Sequence, residues 1–347
     1  MSVHKKYLKR CIQIAKNGLG TSYPNPLVGS VIVHNDTIIG EGWHYQSGKP
    51  HAEVNAINSV TNPDLLKDAT IYVSLEPCSH YGKTPPCSDL IIEKGIKKVV
   101  IGTIDPFAKV SGAGIQKLIN AGCDVVVGIL EKECNDLNKR FFTFHNKKRP
   151  YIILKWAETL DGFIAPESTD KRAPVWITNK YSRQLTHKWR SEEQAILVGN
   201  QTVIKDNPQL TTRNWFGQNP IRIIIDRTNK TPDNSAILDN EVKTIVITTE
   251  THKKDNKQNV IYEVINPKTN SIQEFCSILH SHDIQSVIIE GGTQTLQSFI
   301  DNNIWDEARV FTGNSKFKSG VEAPVFKENS VFEQKINNDT LRIYQND

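Results

Sequence analysis

The chain has 347 residues, of which 38% are hydrophobic and 23% are charged, and its formal net charge is +4. This length predicts two domains, because a single hydrophobic core rarely grows beyond about 250–300 residues. The composition excludes a disordered protein, and the small basic excess favours anionic small ligands over a nucleic-acid partner, which needs a much denser basic surface.

The start of the chain and its cysteines bear on cellular location. The first twenty residues lack an apolar stretch followed by a small-residue cleavage site, so we expect no signal peptide. No run of about 18 apolar residues occurs, so we expect no membrane span. The six cysteines are scattered along a chain without export signals, which predicts a cytoplasmic protein with reduced thiols.

The first half of the chain alternates helical and strand patterns. An apolar stripe predicts a helix over residues 1–20, and the segments SVIVHN and TIIGEGW predict a β-hairpin with a turn at Asn35-Asp36. Further helices are predicted at 51–60, 87–95, 112–122 and 133–148, and strands at 69–77, 97–106 and 123–130. This alternation predicts an α/β layer structure with parallel neighbouring strands.

The pattern restarts at Arg149-Pro150, so we predict one domain over residues 1–147 and a second over 148–347. In the second, strands are predicted at 151–160, 194–203, 220–227, 243–250 and 285–292, and helices at 182–192 and 293–303. This is again an α/β pattern. The polar stretch 251–259 predicts an exposed loop.

Four residues of the first half point to a hydrolytic zinc site. His51, Cys78 and Cys87 are three candidate ligands, and such a site keeps its fourth position open for water, whose pKa zinc lowers to about 7. Cys87 opens a predicted helix, where a thiol more readily becomes the thiolate that binds zinc. Glu53 cannot easily share the metal with His51, but it can take the proton of the water and return it to a departing amine.

Each of these pieces is weak alone. A His-x-Glu pair usually lies on a helix surface, and two cysteines nine positions apart are often small buried hydrophobes. The order H-A-E, then E-P-C, then P-P-C matches the zinc deaminase signature, and the conjunction favours a zinc deaminase with one zinc ion per chain.

Four segments make a more specific resemblance. The runs PNPLVGSVIV (24–33), GEGWH (40–44), HAEVNAI (51–57) and LEPCSHYGKTPPC (75–87) resemble the bifunctional riboflavin-biosynthesis deaminase–reductase family. The resemblance implies a cytidine-deaminase-like α/β/α N-terminal domain and a dihydrofolate-reductase-like α/β C-terminal domain. It also implies substrate contacts from Asn25, His44, His80 and Lys83. Asn25 can hydrogen-bond a pyrimidine edge, and the other three suit a ribose 5′-phosphate.

The second domain carries a weaker signal of its own. The segment VIIEGGTQTLQSFI (287–300) reads as a buried strand, a Gly-Gly turn and a helix, where backbone N–H groups can approach a phosphate. The G-x-G-x-x-G dinucleotide fingerprint is absent, and a Gly-Gly turn is often only tight packing.

The resemblance extends to KWAETLDGFIA (155–165), VWIT (175–178), VGNQTVIKDNPQLTTR (198–213) and IIEGGTQTL (288–296). It implies NADPH contacts at Glu158, Trp176, Thr202, Asp206, Arg227, Gly292, Thr293, Gln294, Thr295, Leu296, Gln297 and Ser298. It implies reductase substrate contacts at Arg190, Leu210, Arg213 and Glu290. The two arginines can bind a phosphate in bidentate fashion.

The leading hypothesis is therefore a bifunctional enzyme that acts on a phosphorylated pyrimidine. It would deaminate 2,5-diamino-6-(ribosylamino)-4(3H)-pyrimidinone 5′-phosphate with zinc and then reduce its ribosyl chain to ribityl with NADPH. We also expect a homo-oligomer. One alternative is a nucleoside or tRNA base deaminase with a non-catalytic second domain, and another is a binding protein that keeps zinc for structure.

Overall fold

The computed structural model describes residues 3–81, 85–106, 111–167, 174–250, 257–268 and 271–346. The chain divides into two compact units, Met1–Lys147 and Lys148–Asp347, and each is described by itself. No helix within the described ranges is both long and apolar enough to cross a membrane.

The first unit is built on one five-stranded sheet. Its strands are β1 (Gly29–His34), β2 (Thr37–Trp43), β3 (Thr70–Leu75), β4 (Lys98–Thr103) and β5 (Asp124–Val127). Its helices are α1 (Val3–Ala15), α2 (Ala52–Asn58), α3 (Cys87–Glu93), α4 (Ala113–Asn120), α5 (Glu131–Leu137) and α6 (Lys139–Lys147). The strand order is β2-β1-β3-β4-β5, in which β3, β4 and β5 are parallel and β1 is antiparallel to both of its neighbours.

Both faces of this sheet are buried, because successive strand residues point to opposite faces. Ile71 and Val73 of β3 pack into one apolar layer with Ile32. Tyr72, between them, packs into the opposite layer with Val31, next to Ile32. Helices cover each layer, so the predicted α/β/α architecture is confirmed.

Two predicted helices of this unit are shorter than expected. The first ends at Ala15 and continues as a single 3-10 turn over Lys16–Gly18, where the backbone lies so close to the His44 carbonyl that a Cβ on Gly18 would stand 2.4 Å from its oxygen. The predicted helix over 133–148 is two helices that meet at Asn138.

The second unit contains a nine-stranded sheet and a small two-stranded one. Its strands are β6 (Tyr151–Glu158), β7 (Phe163–Pro166), β8 (Ala195–Gly199), β9 (Ile221–Ile225), β10 (Thr244–Thr248), β11 (Val260–Val264), β12 (Ser286–Glu290), β13 (Glu307–Thr312), β14 (Gly320–Glu322), β15 (Phe332–Ile336) and β16 (Asp339–Gln345). Its helices are α7 (Lys180–Glu192), α8 (Asn200–Asp206), α9 (Ile272–Ser281) and α10 (Thr293–Asp301).

The large sheet runs in the order β11-β10-β9-β8-β12-β6-β13-β16-β15. Its first seven strands are mutually parallel, and β16 and β15 close the other end as antiparallel strands. Leu197 of β8 packs on one face, whereas its neighbours Ile196 and Val198 pack on the other. Burial on both faces is what a parallel α/β sheet requires.

The predicted strand over 194–203 is wrong in its second half. β8 ends at Gly199, and α8 begins at Asn200, whose side chain donates to Asp226 Oδ1 at 2.9 Å. The sequence reading also assigned no element to β7, β11, α9 or the four strands after α10. The apolar spacing Ile272, Phe275, Cys276, Leu279 could have indicated α9, whereas β15 is mostly exposed and carries little apolar signal. Of the predicted loop 251–259, residues 251–256 lie outside the described residues.

Candidate functional site

Three side chains of the first unit converge on one point. His51 Nδ1 lies 3.6 Å from Cys78 Sγ and 3.4 Å from Cys87 Sγ, and the three ligand atoms lie within 4.8 Å of one another. One imidazole and two thiolates at this spacing are a donor set that zinc prefers. Within the described residues no fourth His, Cys, Asp or Glu ligand joins them, so the geometry fits a site with an open position.

Two helix starts and one turn position these ligands. His51 is the N-cap residue of α2, and Cys87 is the first residue of α3. Cys78 lies in the turn after β3, where Ser88 donates to its carbonyl from both its backbone N (3.1 Å) and its Oγ (3.0 Å). The Cys87 backbone N–H also donates to Cys78 Sγ at 3.3 Å. Because the turn and α3 are tied together, the two sulfur atoms hold a fixed separation.

The pKa values of the two thiols are shifted in opposite directions. The hydrogen bond with the Cys87 side chain lowers the pKa of the Cys78 thiol, and His51 and the Cys87 backbone N–H act in the same direction, although burial opposes the shift. The same pairing, together with burial, raises the pKa of Cys87. One thiolate is therefore already favoured in this pocket, as metal binding requires.

Glu53 lies beside the three ligands and is only 3% exposed. Burial, with a smaller contribution from Cys78, raises the pKa of Glu53 to about 7. A carboxyl group with this pKa can both accept and release a proton near neutral pH, as a proton shuttle must.

Asn25 and His44 lie together near the metal ligands, but their positions suit different roles toward a substrate. Asn25 Nδ2 lies 3.0 Å from His44 Nε2, and His44 Nδ1 lies 3.1 Å from the Pro50 carbonyl oxygen. His44 is 2% exposed and both of its ring nitrogens are engaged, so its position suits orienting Asn25 more than binding a phosphate directly. His80 is exposed on the turn, and Lys83 lies outside the described residues.

Glu76 was not singled out from the sequence. It is buried, and its carboxylate accepts hydrogen bonds from the backbone N–H groups of Asp105, Gly112, Gly114 and Ile115, at 2.9 to 3.4 Å. It thereby ties the Glu-Pro-Cys turn to the start of α4. Its position two residues before the predicted ligand Cys78 could have indicated a role near the metal site.

The second unit contains a cleft of about 1160 Å³. Twelve of the predicted reductase residues line it, namely Trp176, Arg190, Thr202, Asp206, Leu210, Arg213, Glu290, Gly292, Thr293, Gln294, Gln297 and Ser298. These residues come from loops, helices and a strand that are far apart in sequence, so the tertiary fold brings them together. A cavity of this volume is large enough for a dinucleotide beside a second ligand.

Four predicted cofactor residues do not line the cleft. Glu158 accepts from Trp156 Nε1 at 2.8 Å, and Arg227 lies over the Phe275 ring at 5.9 Å. Thr295 faces Gly199, where an added Cβ would stand 2.7 Å from its Oγ1. Leu296 is fully buried in the apolar core, so only its backbone could face a cofactor.

A charged cluster occupies one part of this cleft. Arg190 donates to both oxygens of Glu290, from Nη2 at 2.9 Å and from Nε at 3.2 Å, and Lys155 Nζ lies 3.8 Å from Oε2 of the same carboxylate. Lys155 and Glu290 are register partners on the neighbouring parallel strands β6 and β12. Although burial opposes it, Arg190 and Lys155 lower the pKa of Glu290 to about 2.

His187 completes this cluster and was also missed from the sequence. Its Nδ1 lies 3.0 Å from the Thr211 carbonyl, and burial together with Arg190 and Arg213 lowers its pKa to about 4. The cleft lining as a whole carries five cationic side chains and three carboxylates. The excess of positive charge suits ligands with phosphate groups.

The junction of β12 and α10 forms another wall of the cleft. Gly291 has a φ of +120°, and a Cβ there would stand 2.7 Å from Thr202 Oγ1, so the turn requires glycine. A Cβ on Gly292 would meet nothing within 4 Å, and among the described residues no side chain caps α10. The first N–H groups of α10 are thus open to an anion, as a dinucleotide phosphate requires.

Comparisons with known proteins agree with this geometry. The model of the cytidine and deoxycytidylate deaminase zinc-binding region matches residues 1–103, and the RibD C-terminal domain matches residues 150–315. Riboflavin biosynthesis protein RibD of Aquifex aeolicus is 43% identical, over 89% of this chain and 86% of its own length. RibD of Bacillus amyloliquefaciens is 40% identical, over 88% and 83%.

Two solved structures match nearly the whole chain. A diaminohydroxyphosphoribosylaminopyrimidine deaminase/5-amino-6-(5-phosphoribosylamino)uracil reductase from Thermotoga maritima is 39% identical, and the match covers 99% of both chains with a TM-score of 0.90. Acinetobacter baumannii RibD is 32% identical, over 99% of this chain and 98% of its own, also with a TM-score of 0.90. The alternatives of a base deaminase with an inert second domain and of a structural zinc protein are not favoured, because both halves match one bifunctional enzyme. The chain belongs to the RibD family of riboflavin biosynthesis proteins, bifunctional enzymes in which a zinc-dependent deaminase is joined to an NADPH-dependent reductase.

Proposed function

We propose that residues 1–147 deaminate 2,5-diamino-6-(ribosylamino)-4(3H)-pyrimidinone 5′-phosphate and that residues 148–347 then reduce the ribosyl side chain of the product to ribityl. The observation that carries the proposal is the convergence of His51, Cys78 and Cys87 beside the buried Glu53. The name of the Thermotoga relative, which states both activities, supports this choice of substrate.

In the deaminase site, each residue has a separate task. His51, Cys78 and Cys87 would hold a zinc ion, which would supply the activation of water as a nucleophile. Glu53 accepts a proton at its carboxylate and returns it to the departing amine, so that a C–O bond replaces a C–N bond and ammonia leaves. Asn25, oriented by His44, contacts the pyrimidine edge.

The phosphate of the deaminase substrate is assigned to His80 and Lys83, which lie between the two cysteines in the sequence. His80 is exposed, and Lys83 follows it by three positions in the sequence. A lysine ammonium and an imidazole can both donate to phosphate oxygens.

In the reductase cleft, the chain binds and orients. Bound NADPH supplies the hydride, and the amide groups at the start of α10, together with Trp176, Thr202 and Asp206, hold it. Arg190 and Arg213 bind the ribose phosphate. Glu290 keeps Arg190 in place through its two hydrogen bonds, and Leu210, with a φ of +55°, shapes the wall beside them.

Supplying the diaminopyrimidine phosphate with and without NADPH tests the proposal. Ammonia should appear in both reactions, whereas reduced nicotinamide should be consumed only after ammonia is released. A chain that releases no ammonia would contradict the deaminase assignment. A chain that releases ammonia and leaves NADPH unchanged would contradict the reductase assignment alone.

We further propose that the chain works in the cytoplasm as a homo-oligomer. All six cysteines are free thiols, which suits a reducing compartment. β15 is the last strand of the large sheet and mostly exposed, which leaves a strand edge that a second copy could pair with. Light scattering on the purified chain and cell fractionation test the two statements separately.

A further inference from the structure

Asn138, between α5 and α6, makes an unusual pair of hydrogen bonds to a residue 111 positions away. The Leu27 backbone N–H donates to Asn138 Oδ1 at 2.8 Å, and Asn138 Nδ2 donates to the Leu27 carbonyl at 2.9 Å. Asn138 is 2% exposed and Leu27 is 7% exposed. The side-chain amide therefore binds one backbone residue in both directions, as a neighbouring strand would.

Leu27 is the end of the loop that carries Asn25. The flanking Pro24 and Pro26 have no backbone N–H, so the loop can be anchored through few donors. The Asn25 N–H donates to the Ser22 carbonyl at 2.9 Å, and the next N–H along the chain is that of Leu27. The bonds to Asn138 therefore fix the loop on the C-terminal side of Asn25, and the bond to Ser22 fixes Asn25 itself.

The loop in turn sets the direction of the Asn25 side chain. His44 Nδ1 donates to the Pro50 carbonyl, so its Nε2 accepts from Asn25 Nδ2. This turns Asn25 Oδ1 away from the imidazole. The His44 ring meets the His51 ring edge-on, with their centroids 5.3 Å apart, so the Asn25 amide is set relative to the metal ligands.

We propose that Asn138 is a positioning residue of the deaminase, which holds the Asn25 loop against the pyrimidine while touching neither substrate nor metal. The inference rests on the proposed contact between Asn25 and the substrate. A contact made equally in ground and transition states changes KM more than kcat. Loss of Asn138 should therefore weaken substrate binding while the metal and the proton shuttle remain.

The test uses the full-length, zinc-loaded enzyme with Asn138→Ala and Asn138→Asp. For both, we expect the KM of deamination to rise roughly tenfold at neutral pH, because the buried Leu27 carbonyl loses its donor in each variant, and in Asn138→Ala the Leu27 N–H loses its acceptor as well. We expect kcat to change less, zinc to stay near one ion per chain, and NADPH-dependent reduction of the deaminated substrate to be unchanged.

The aspartate variant adds a readout that loss of packing would not give. Asn138→Asp keeps an acceptor for the Leu27 N–H but sets an oxygen against the Leu27 carbonyl. A protonated aspartic acid can donate to that carbonyl, so its KM, relative to wild type at each pH, should recover as pH falls. Asn138→Ala should show no such recovery.

Asn135→Ala is the matched control. Asn135 is in α5, the helix that ends just before Asn138, and its Oδ1 accepts from Thr103 Oγ1 of β4 at 2.8 Å and not from the Asn25 loop. Its KM should stay within about twofold of wild type, since the hydrogen bond that it loses does not hold the Asn25 loop.

The possible failures are distinguishable. If Asn25→Ala leaves KM unchanged, the proposed substrate contact is wrong. If Asn25→Ala raises KM while neither Asn138 variant does, the positioning role is wrong. If both Asn138 variants lose zinc or unfold, Asn138 supports the whole unit, and the specific role is likewise overturned.

Discussion

The zinc pocket and the reductase cleft are built in different ways. The pocket takes its three ligands from positions that span 36 residues, on two consecutive helix starts and one turn. The cleft joins Arg190 to Glu290 across 100 residues and adds walls from α8 and α10. A site whose residues lie close together in the sequence can be recognised from a motif. A site whose residues are distant in the sequence can be recognised only from the folded structure.

The two sites also treat charge differently. In the pocket, burial raises the pKa of Glu53 to about 7, so that this carboxyl group can gain or lose a proton near neutral pH. The cleft keeps Glu290 fully ionised between Arg190 and Lys155, so that its charge is fixed. One carboxyl group is suited to proton transfer and the other to holding cations in place.

Removing the metal should separate the two sites most completely. Treatment with a chelator should abolish ammonia release and leave NADPH-dependent reduction of the deaminated substrate intact, because within the described ranges the three-ligand cluster is found in the pocket and none is found in the cleft. Cys87→Ala should do the same, whereas Cys123→Ala, a buried thiol of the same unit whose Sγ contacts the Ile96 carbonyl, should keep zinc. Metal analysis and the two activity assays measure this. Equal loss of both activities would mean that the sites are not independent.

Glu53→Gln should lower the kcat of deamination by roughly 10²–10⁴-fold, the usual contribution of a general acid–base group. Zinc should be retained, since Glu53 is not among the three ligands. Metal content and ammonia release from the same preparation provide the check. Loss of zinc in this variant would show that Glu53 is a ligand and not a shuttle.

Arg190→Ala and Arg213→Ala compare a buried cation with an exposed one in the cleft. Both should raise the reductase KM, roughly tenfold or more, because each removes a charged hydrogen-bond donor to phosphate. Only Arg190→Ala should also destabilise the second unit, by about 3 kcal/mol, since it leaves Glu290, whose side chain is 12% exposed, paired with the more distant Lys155. Denaturant unfolding beside the kinetics distinguishes them, and equal stability of the two variants would contradict the ion-pair account.

The stability of the second unit should depend on pH through His187. Its pKa is about 4 when folded and 6.5 when unfolded, so the unfolded chain takes up a proton first. The free energy of unfolding is therefore expected to fall by about 2 kcal/mol between pH 6.5 and pH 5. Glu290 contributes at lower pH, below 4.5, where its lowered pKa favours the folded state less and less.

His187→Gln is the test of that dependence. The variant should lose less stability than wild type over the same pH interval, as measured by urea unfolding. Identical slopes in both proteins would assign the pH dependence to another group.

The pocket could be predicted from sequence almost completely, and the cleft only in part. His51, Glu53, Cys78 and Cys87 were found by the order and spacing of their motifs, and the structure brings them together. Lys155 and His187 were missed because a lysine inside a strand and a histidine inside a helix have no distinguishing local pattern. Only strand register places Lys155 beside Glu290.

The sequence by itself determined the α/β class, the position of the pattern restart near Arg149, and the metal chemistry, because these follow from local periodicity and short spacing. The tertiary structure decided three features: the division of the predicted 133–148 helix at Asn138, the start of α8 directly after Gly199, and the hydrogen bonds between Asn138 and Leu27. Such features depend on contacts between residues far apart in the chain. No local sequence pattern predicts them, because the residue type of an asparagine does not indicate whether its side chain is buried or exposed.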